Sequence, residues 1–204
     1  MKRRAGKNRQ QPDYYAKRAQ KEHFPARSVY KLEAIQKKFG LLKKGRQVLD
    51  LGCAPGSWLQ YAARITGSRG RVTGIDQKPV KERMPDHVQV LAEDVEALAS
   101  SDAGRIKEVC GCGLDVVLSD MAPSTTGKKD VDAARSYHLS RAALTIAEEV
   151  LRPGGVFVCK IFQGEDFEYF LREVKSLFST CRVYKPESTR KESRETYVIG
   201  MGKK

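Results

Sequence analysis

The chain has 204 residues, the size of one domain with its own core. No apolar run approaches the roughly 20 residues a membrane helix needs, and the basic start MKRRAGKNRQQPDYY leads into no apolar secretory segment and has no amphipathic transit-peptide pattern. The formal net charge of +13 is gathered toward the ends: Lys2, Arg3, Arg4, Lys7, Arg9, Lys17, Arg18 and Lys21 against Asp13 alone, then Lys185, Arg190, Lys191, Arg194, Lys203 and Lys204. That points to a polyanionic partner and away from a membrane surface, since a cation placed on a phosphate releases condensed counterion and neither segment carries an apolar helical face.

Taken in order, residues 1–11 are polar and read as disordered, within a basic arm at 1–22 ahead of a domain at 23–204. Helical composition covers 13–23 and 28–38, the second with Ser28 as N-cap and Gly40 as stop. Strands are expected at 47–51, 71–75, 88–91, 115–119, 155–161, 181–184 and 196–201, with helices at 57–66, 94–99, 132–151 and 165–178. The run Leu-Arg-Pro-Gly-Gly ends the longest helix. This alternation predicts an α/β fold, a doubly wound and mainly parallel sheet of seven strands with helices on both faces. Residues 185–194 leave no room for a helix between the last two strands, so these should form an antiparallel hairpin. The five cysteines, at 53, 110, 112, 159 and 181, read as free thiols of a reducing cytoplasm, and the Cys110–Cys112 spacing is not a zinc pattern. No metal-ligand cluster is expected.

Val48-Leu-Asp-Leu-Gly-Cys-Ala-Pro-Gly-Ser-Trp58 reads as a buried strand, a tight glycine turn and a helix start. Ligands of open α/β sheets sit at such turns. Gly52 and Gly56 allow close backbone approach, and the helix start at Ser57 offers amide donors. A dinucleotide site wants G-x-G-x-x-G under its pyrophosphate. Here the middle glycine is missing and Pro55 is present, which suits S-adenosylmethionine better than NAD. Asp50 or Asp76 can accept from the cofactor amine or from ribose hydroxyls. Asp94 stands where an adenine amino group is recognised.

Three further polar residues interrupt apolar runs. Asp120 follows Val-Val-Leu-Ser, Lys160 lies inside Val-Phe-Val-Cys-Lys-Ile-Phe, and Glu195 opens the last strand. A lysine in such a run is costly unless paired, and burial disfavours its charged form. If the last strand is antiparallel, its start meets the ends of the parallel strands, and the three residues converge there. A purely structural ion pair is the competing account of Lys160.

Five segments carry a family resemblance: Arg27-Ser-Val-Tyr-Lys-Leu32, Asp50-Leu-Gly-Cys-Ala-Pro-Gly-Ser-Trp58, Ser119-Asp-Met-Ala-Pro123, Lys160-Ile-Phe-Gln-Gly164 and Ser193-Arg-Glu-Thr-Tyr197. In this order they resemble the FtsJ/RrmJ family of ribosomal RNA 2′-O-methyltransferases over residues 12–202, with Cys53 where relatives often have alanine. The resemblance implies a Rossmann-like methyltransferase fold that binds S-adenosylmethionine through Asp50, Gly52, Pro55, Gly56, Trp58, Asp76, Asp94 and Asp120. It implies a catalytic Lys-Asp-Lys-Glu tetrad of Lys31, Asp120, Lys160 and Glu195, with Lys160 as general base. Lys31 enters only this way; by itself it looks like a solvated helix lysine. The implied substrate is a uridine in the large-subunit ribosomal RNA, within the ribosomal subunit, methylated by a cytoplasmic monomer that serves ribosome assembly.

The residues themselves support only RNA or another large polyanion. Lys17, Arg18, Arg27, Lys128 and Lys129 flank the proposed centre and are candidates for phosphate contacts, which position without reading sequence. Tyr14, Tyr15 and Phe24 either stack on bases or serve as core contacts of the first helix. His23, His87 and His138 are scattered and receive no catalytic role. Two other functions compete. A non-catalytic RNA-binding assembly factor is disfavoured by the intact tetrad, and a nicotinamide oxidoreductase by the missing glycine.

Overall fold

A computed structural model describes residues 14–190 and 192–204. Its strands are β1 (Gln47–Leu51), β2 (Arg71–Ile75), β3 (Val88–Leu91), β4 (Leu114–Ser119), β5 (Leu151–Phe162), β6 (Phe178–Tyr184) and β7 (Glu195–Lys203). Its helices are α1 (Tyr14–Lys21), α2 (Val29–Phe39), α3 (Ser57–Thr66), α4 (Val95–Ala99), α5 (Ala103–Cys110), α6 (Lys129–Val150) and α7 (Phe167–Leu177). The strands form one sheet in the order β3-β2-β1-β4-β5-β7-β6. β1 to β5 are parallel, and β7 runs antiparallel to both of its neighbours. The antiparallel pair expected from the short 185–194 connection is therefore present. The last strand does not lie at the edge: it is inserted between β5 and β6.

The two faces follow from the period-2 alternation of strand side chains. Leu49, Leu51, Val117, Phe157, Cys159, Ile161 and Val198 pack under α4 to α7, together with Phe170 and Ile146. Val48, Val116, Leu118, Val156, Val158, Tyr197 and Ile199 pack against α2 and α3, with Leu32, Ile35, Trp58 and Leu59. Continuing the second parity to the strand ends puts Asp50, Asp120, Lys160 and Glu195 on the α2/α3 face. The sheet thus delivers its polar residues to one side, under the helix that carries Lys31.

Three elements differ from expectation. No helix is expected between residues 99 and 115, yet α5 forms there, capped by Asp102, whose Oδ1 accepts from Arg105 N at 3.0 Å. β5 starts at Leu151, ahead of the expected residue 155, because Leu114 pairs with Leu151 before a register shift at Val116. α1 docks on α2 through a small cluster of Ala19, Phe24, Val29 and Tyr30 with Tyr15 and Tyr61. Of the expected basic arm at 1–22, residues 1–13 lie outside the described residues, and the stretch from Tyr14 contributes this docked helix. Phe24 is a core residue, whereas Tyr14 is exposed.

Candidate active site

The glycine turn after β1 is held by the neighbouring strand. Gly52 N and Cys53 N donate to Ile75 O at 2.8 and 3.2 Å. Asp76 accepts from Ala54 N at 3.0 Å and from Lys78 N at 2.8 Å. Gly52 has φ +73°, and a Cβ there would stand 2.3 Å from Met121 Cγ, so only glycine lets the segment after β4 come this close. Beside the turn opens a cleft of about 770 Å³ lined by Gly52, Asp76, Asp94, Asp120, Met121 and His138, among others.

Four of the expected cofactor residues therefore line one cleft, and the other four do not. Gly56, φ +110°, caps α3 beneath Val80 and Met84, and Pro55 is exposed beside it. Trp58 is buried. Its Nε1 donates to Ser28 O at 2.9 Å, and its ring lies 5.9 Å from that of Tyr197. It braces the entry to α2 and the β7 tyrosine. Asp94 caps α4, accepting from Glu96 N and Ala97 N at 2.8 and 3.2 Å, and takes a further hydrogen bond from Gln77.

Asp50 is sealed behind the turn, 1 % exposed, and neither carboxylate oxygen has a hydrogen-bond partner among the described residues. Burial, then the charges of Asp120 and Asp76, push its carboxyl well above the usual range. Three acids thus crowd the ends of adjacent strands, and of the three Asp120 alone has an ion-pair partner among the described residues, Lys160. That surplus suits a ligand carrying an ammonium and a sulfonium. It also has a cost. A group whose folded pKa is raised stabilises fully only below its unfolded value, near 4, and that stability drains away as pH rises. Asp50→Asn is therefore expected to stabilise the ligand-free protein by about 1–3 kcal/mol at pH 8 and to lose that advantage toward pH 4. Thermal melts at both pH values check this; equal shifts at both would contradict it.

The candidate reaction centre lies beside the cleft, at the strand ends. Lys160 Nζ donates to the backbone carbonyl of Asp120 and stands 3.1 Å from its Oδ1. The Tyr197 hydroxyl donates to Asp120 Oδ1 at 2.6 Å and lies 3.2 Å from Glu195 Oε1. Lys31 Nζ sits 2.7 and 2.8 Å from the two Glu195 oxygens. The expected four residues are brought together, joined by a fifth, Tyr197, whose hydroxyl links the two lysine–carboxylate pairs into one continuous chain. Burial and both carboxylates push the Tyr197 hydroxyl well above its ordinary value, so it remains a donor. Lys160 itself is held by α6. Ser140 Oγ donates to Lys160 O at 3.0 Å, and Phe162 N donates to Ser136 Oγ at 3.0 Å, just past the end of the β4 ladder.

The candidate phosphate contacts divide. Lys17, Lys128 and Lys129 are exposed. The loop before α6 is fixed by Asp132, which accepts from Thr126 N at 2.7 Å and Gly127 N at 3.2 Å. Arg18 is engaged by Glu22 at 2.7 Å and Glu33 at 3.4 Å and covers the Tyr30 ring, and Arg27 donates to Ser188 O at 2.6 Å. These two brace α1 and the β6–β7 connection. His138, given no role from sequence, lies in the cleft wall with Arg135. Among the described residues no group of three His, Cys, Asp or Glu side chains could hold a metal ion, and no helix is long and apolar enough to cross a membrane.

Comparison with known proteins bears on this geometry. The sequence profile of FtsJ-like methyltransferases matches residues 24–203. The chain is 55 % identical over 204 residues, all of this chain and 97 % of the relative, to the ribosomal RNA large subunit methyltransferase E of Desulfosudis oleivorans. It is 47 % identical, over 94 % of each chain, to the protein of the same description from Treponema denticola. Its fold matches a protein described as a ribosomal RNA methyltransferase of Plasmodium falciparum, with TM-score 0.76, 26 % identity and coverage of 88 % of this chain and 98 % of that one. Fibrillarin of Aeropyrum pernix, solved with bound S-adenosylmethionine, shares the fold alone at TM-score 0.59 and 17 % identity, over 85 % of this chain and 76 % of that one.

Proposed function

The chain belongs to the FtsJ-like methyltransferase family, and from that premise we propose that it moves a methyl group from S-adenosylmethionine to the ribose 2′-hydroxyl of a uridine in large-subunit ribosomal RNA, acting in the cytoplasm during ribosome assembly. The observation that carries the reading is the chain Lys31–Glu195–Tyr197–Asp120–Lys160, which ends beside an acidic cleft.

S-adenosylmethionine, when bound, supplies an electrophilic methyl group on a sulfonium. Gly52, Asp76, Asp94 and Asp120 line the cleft that would hold it, with carboxylates to meet its ammonium and ribose hydroxyls. The acceptor hydroxyl is a poor nucleophile until its proton leaves. Once deprotonated, the Lys160 amine keeps two N–H groups, matched by the carbonyl and carboxylate of Asp120. Its lone pair is then free to take the ribose proton as general base. Asp120 and Tyr197 orient that amine, and the Lys31–Glu195 pair anchors the far end of the chain. Holding hydroxyl and methyl donor in line supplies much of the remaining acceleration.

The test is to incubate the protein with methyl-labelled S-adenosylmethionine and isolated large ribosomal subunits, then map the label. The expected label falls on one uridine, and alkali fails to cleave the RNA after it, because the 2′-oxygen is blocked. Label on a base, or none on RNA, overturns the proposal.

A further inference from the structure

At the opposite end of the sheet, where the strands begin, lies a second concavity, of about 390 Å³, lined by Lys43, Lys44, Arg46, Asp115 and Arg152, among others. Its walls are loops locked to one another. Gly45 N donates to Thr66 O at 2.8 Å, Arg46 N to Lys43 O at 3.3 Å, and Arg71 N to Arg46 O at 3.2 Å. The acid in it is already engaged, since Asp115 pairs with Arg152 and accepts from Gln47 N at 2.8 Å. Arg46 spends one nitrogen on Leu41 O at 2.7 Å. Lys43 and Lys44 are exposed, and neither they nor Arg46 form an ion pair among the described residues. Several uncompensated cations around one hollow repel each other, and nothing in the methyl-transfer chemistry uses them. Among the described residues no aromatic ring lines the hollow, so it offers charge without a surface for stacking bases.

We propose that this basic concavity is a second RNA-docking site, which holds backbone phosphates of a substrate segment remote from the methylated nucleotide. It rests on the RNA substrate proposed above. Phosphates fit because lysine and arginine neutralise them without base contacts, and each contact adds counterion release. β1 alone separates the hollow from the reaction centre by five residues, about 16 Å. An RNA of fewer than about five stacked nucleotides seated at Lys160 does not span that distance, and a large folded RNA does. The site therefore favours structured rRNA over short oligonucleotides that carry the same target.

The test compares the wild type with Lys43→Glu/Lys44→Glu, both on an exposed loop, and with Lys175→Glu/Arg182→Glu, which makes the same change in net charge on α7 and β6. Methyl transfer is followed on large ribosomal subunits and on a short oligonucleotide bearing the mapped target. For the first variant KM on subunits is expected to rise about tenfold with kcat unchanged. The slope of log affinity against log salt should fall by about two, while the oligonucleotide KM stays at the wild-type value. The second variant should match the wild type on subunits. Unchanged subunit KM and slope in the first variant, or an equal loss in the second, overturns the docking site. Wild-type protein that binds RNA with this dependence but transfers no methyl group would sink the proposed function and leave the docking site standing.

Discussion

Lys160→Met is expected to lose about three orders of magnitude in kcat while its affinity for S-adenosylmethionine stays within a few-fold of wild type. The side chain is 5 % exposed, and among the described residues its Nζ pairs with groups of Asp120 alone. Methionine fills the same volume without the amine, so the fold keeps its packing and the general base disappears, a step worth about 10²–10⁴-fold. Removing one partner of a buried pair also leaves the Asp120 carboxylate and carbonyl without their lysine donor, so the melting temperature should fall. Single-turnover methyl transfer and calorimetric titration of the cofactor check the two halves separately. Full activity ends the base assignment, and lost cofactor binding moves Lys160 from the acceptor side of the site to the donor side.

Asp120→Asn is expected to lower kcat about a hundredfold and to weaken cofactor binding as well. Asp120 is the node of the chain: its Oδ1 takes the Tyr197 hydroxyl at 2.6 Å and faces Lys160 Nζ at 3.1 Å, and it also lines the cleft. Asparagine keeps the shape and one carbonyl oxygen but removes the negative charge that both neighbours are arranged around. Hydrogen bonds to a charged acceptor are roughly twice as strong as neutral ones, and two are weakened together. The two predictions separate cleanly, because Lys160→Met should leave cofactor affinity alone and Asp120→Asn should not. Wild-type kcat in the Asp120→Asn variant would remove the carboxylate from the mechanism.

The parity of the strands explains what could be read in advance. Asp120 and Lys160 continue apolar positions 116, 118, 156 and 158, so a polar residue there is visible as an interruption of a core stripe. Glu195 becomes visible once the last strand is taken as antiparallel. Tyr197 shares that parity, two residues on, and the same argument would have found it; its aromatic ring let it pass as ordinary core. Lys31 gives no such signal, because a lysine on a half-exposed helix looks like any other until the partner strand is known. Its role rests on family resemblance, and the structure supplies the contact with Glu195. The glycine turn is legible in its geometry and less so in its lining. Trp58 lies close to Gly56 in the chain, but α3 turns it inward to Ser28 and Tyr197. Ser136 and Ser140, which fix the end of β5, read only as small residues of a long helix.

Lys31 and Glu195 meet across 164 residues, and β7 completes the centre from inside the sheet, between strands that precede it. Closing so long a loop gains nothing until the intervening strands are in place. A partly folded chain can own the glycine turn, Asp76 and Asp94 and still lack both Glu195 and Tyr197. Such an intermediate has the proposed donor half of the site and no assembled acceptor half. Methyl transfer is therefore a late reporter of folding, silent in incomplete molecules, and recovery of activity after denaturation should lag behind recovery of cofactor binding.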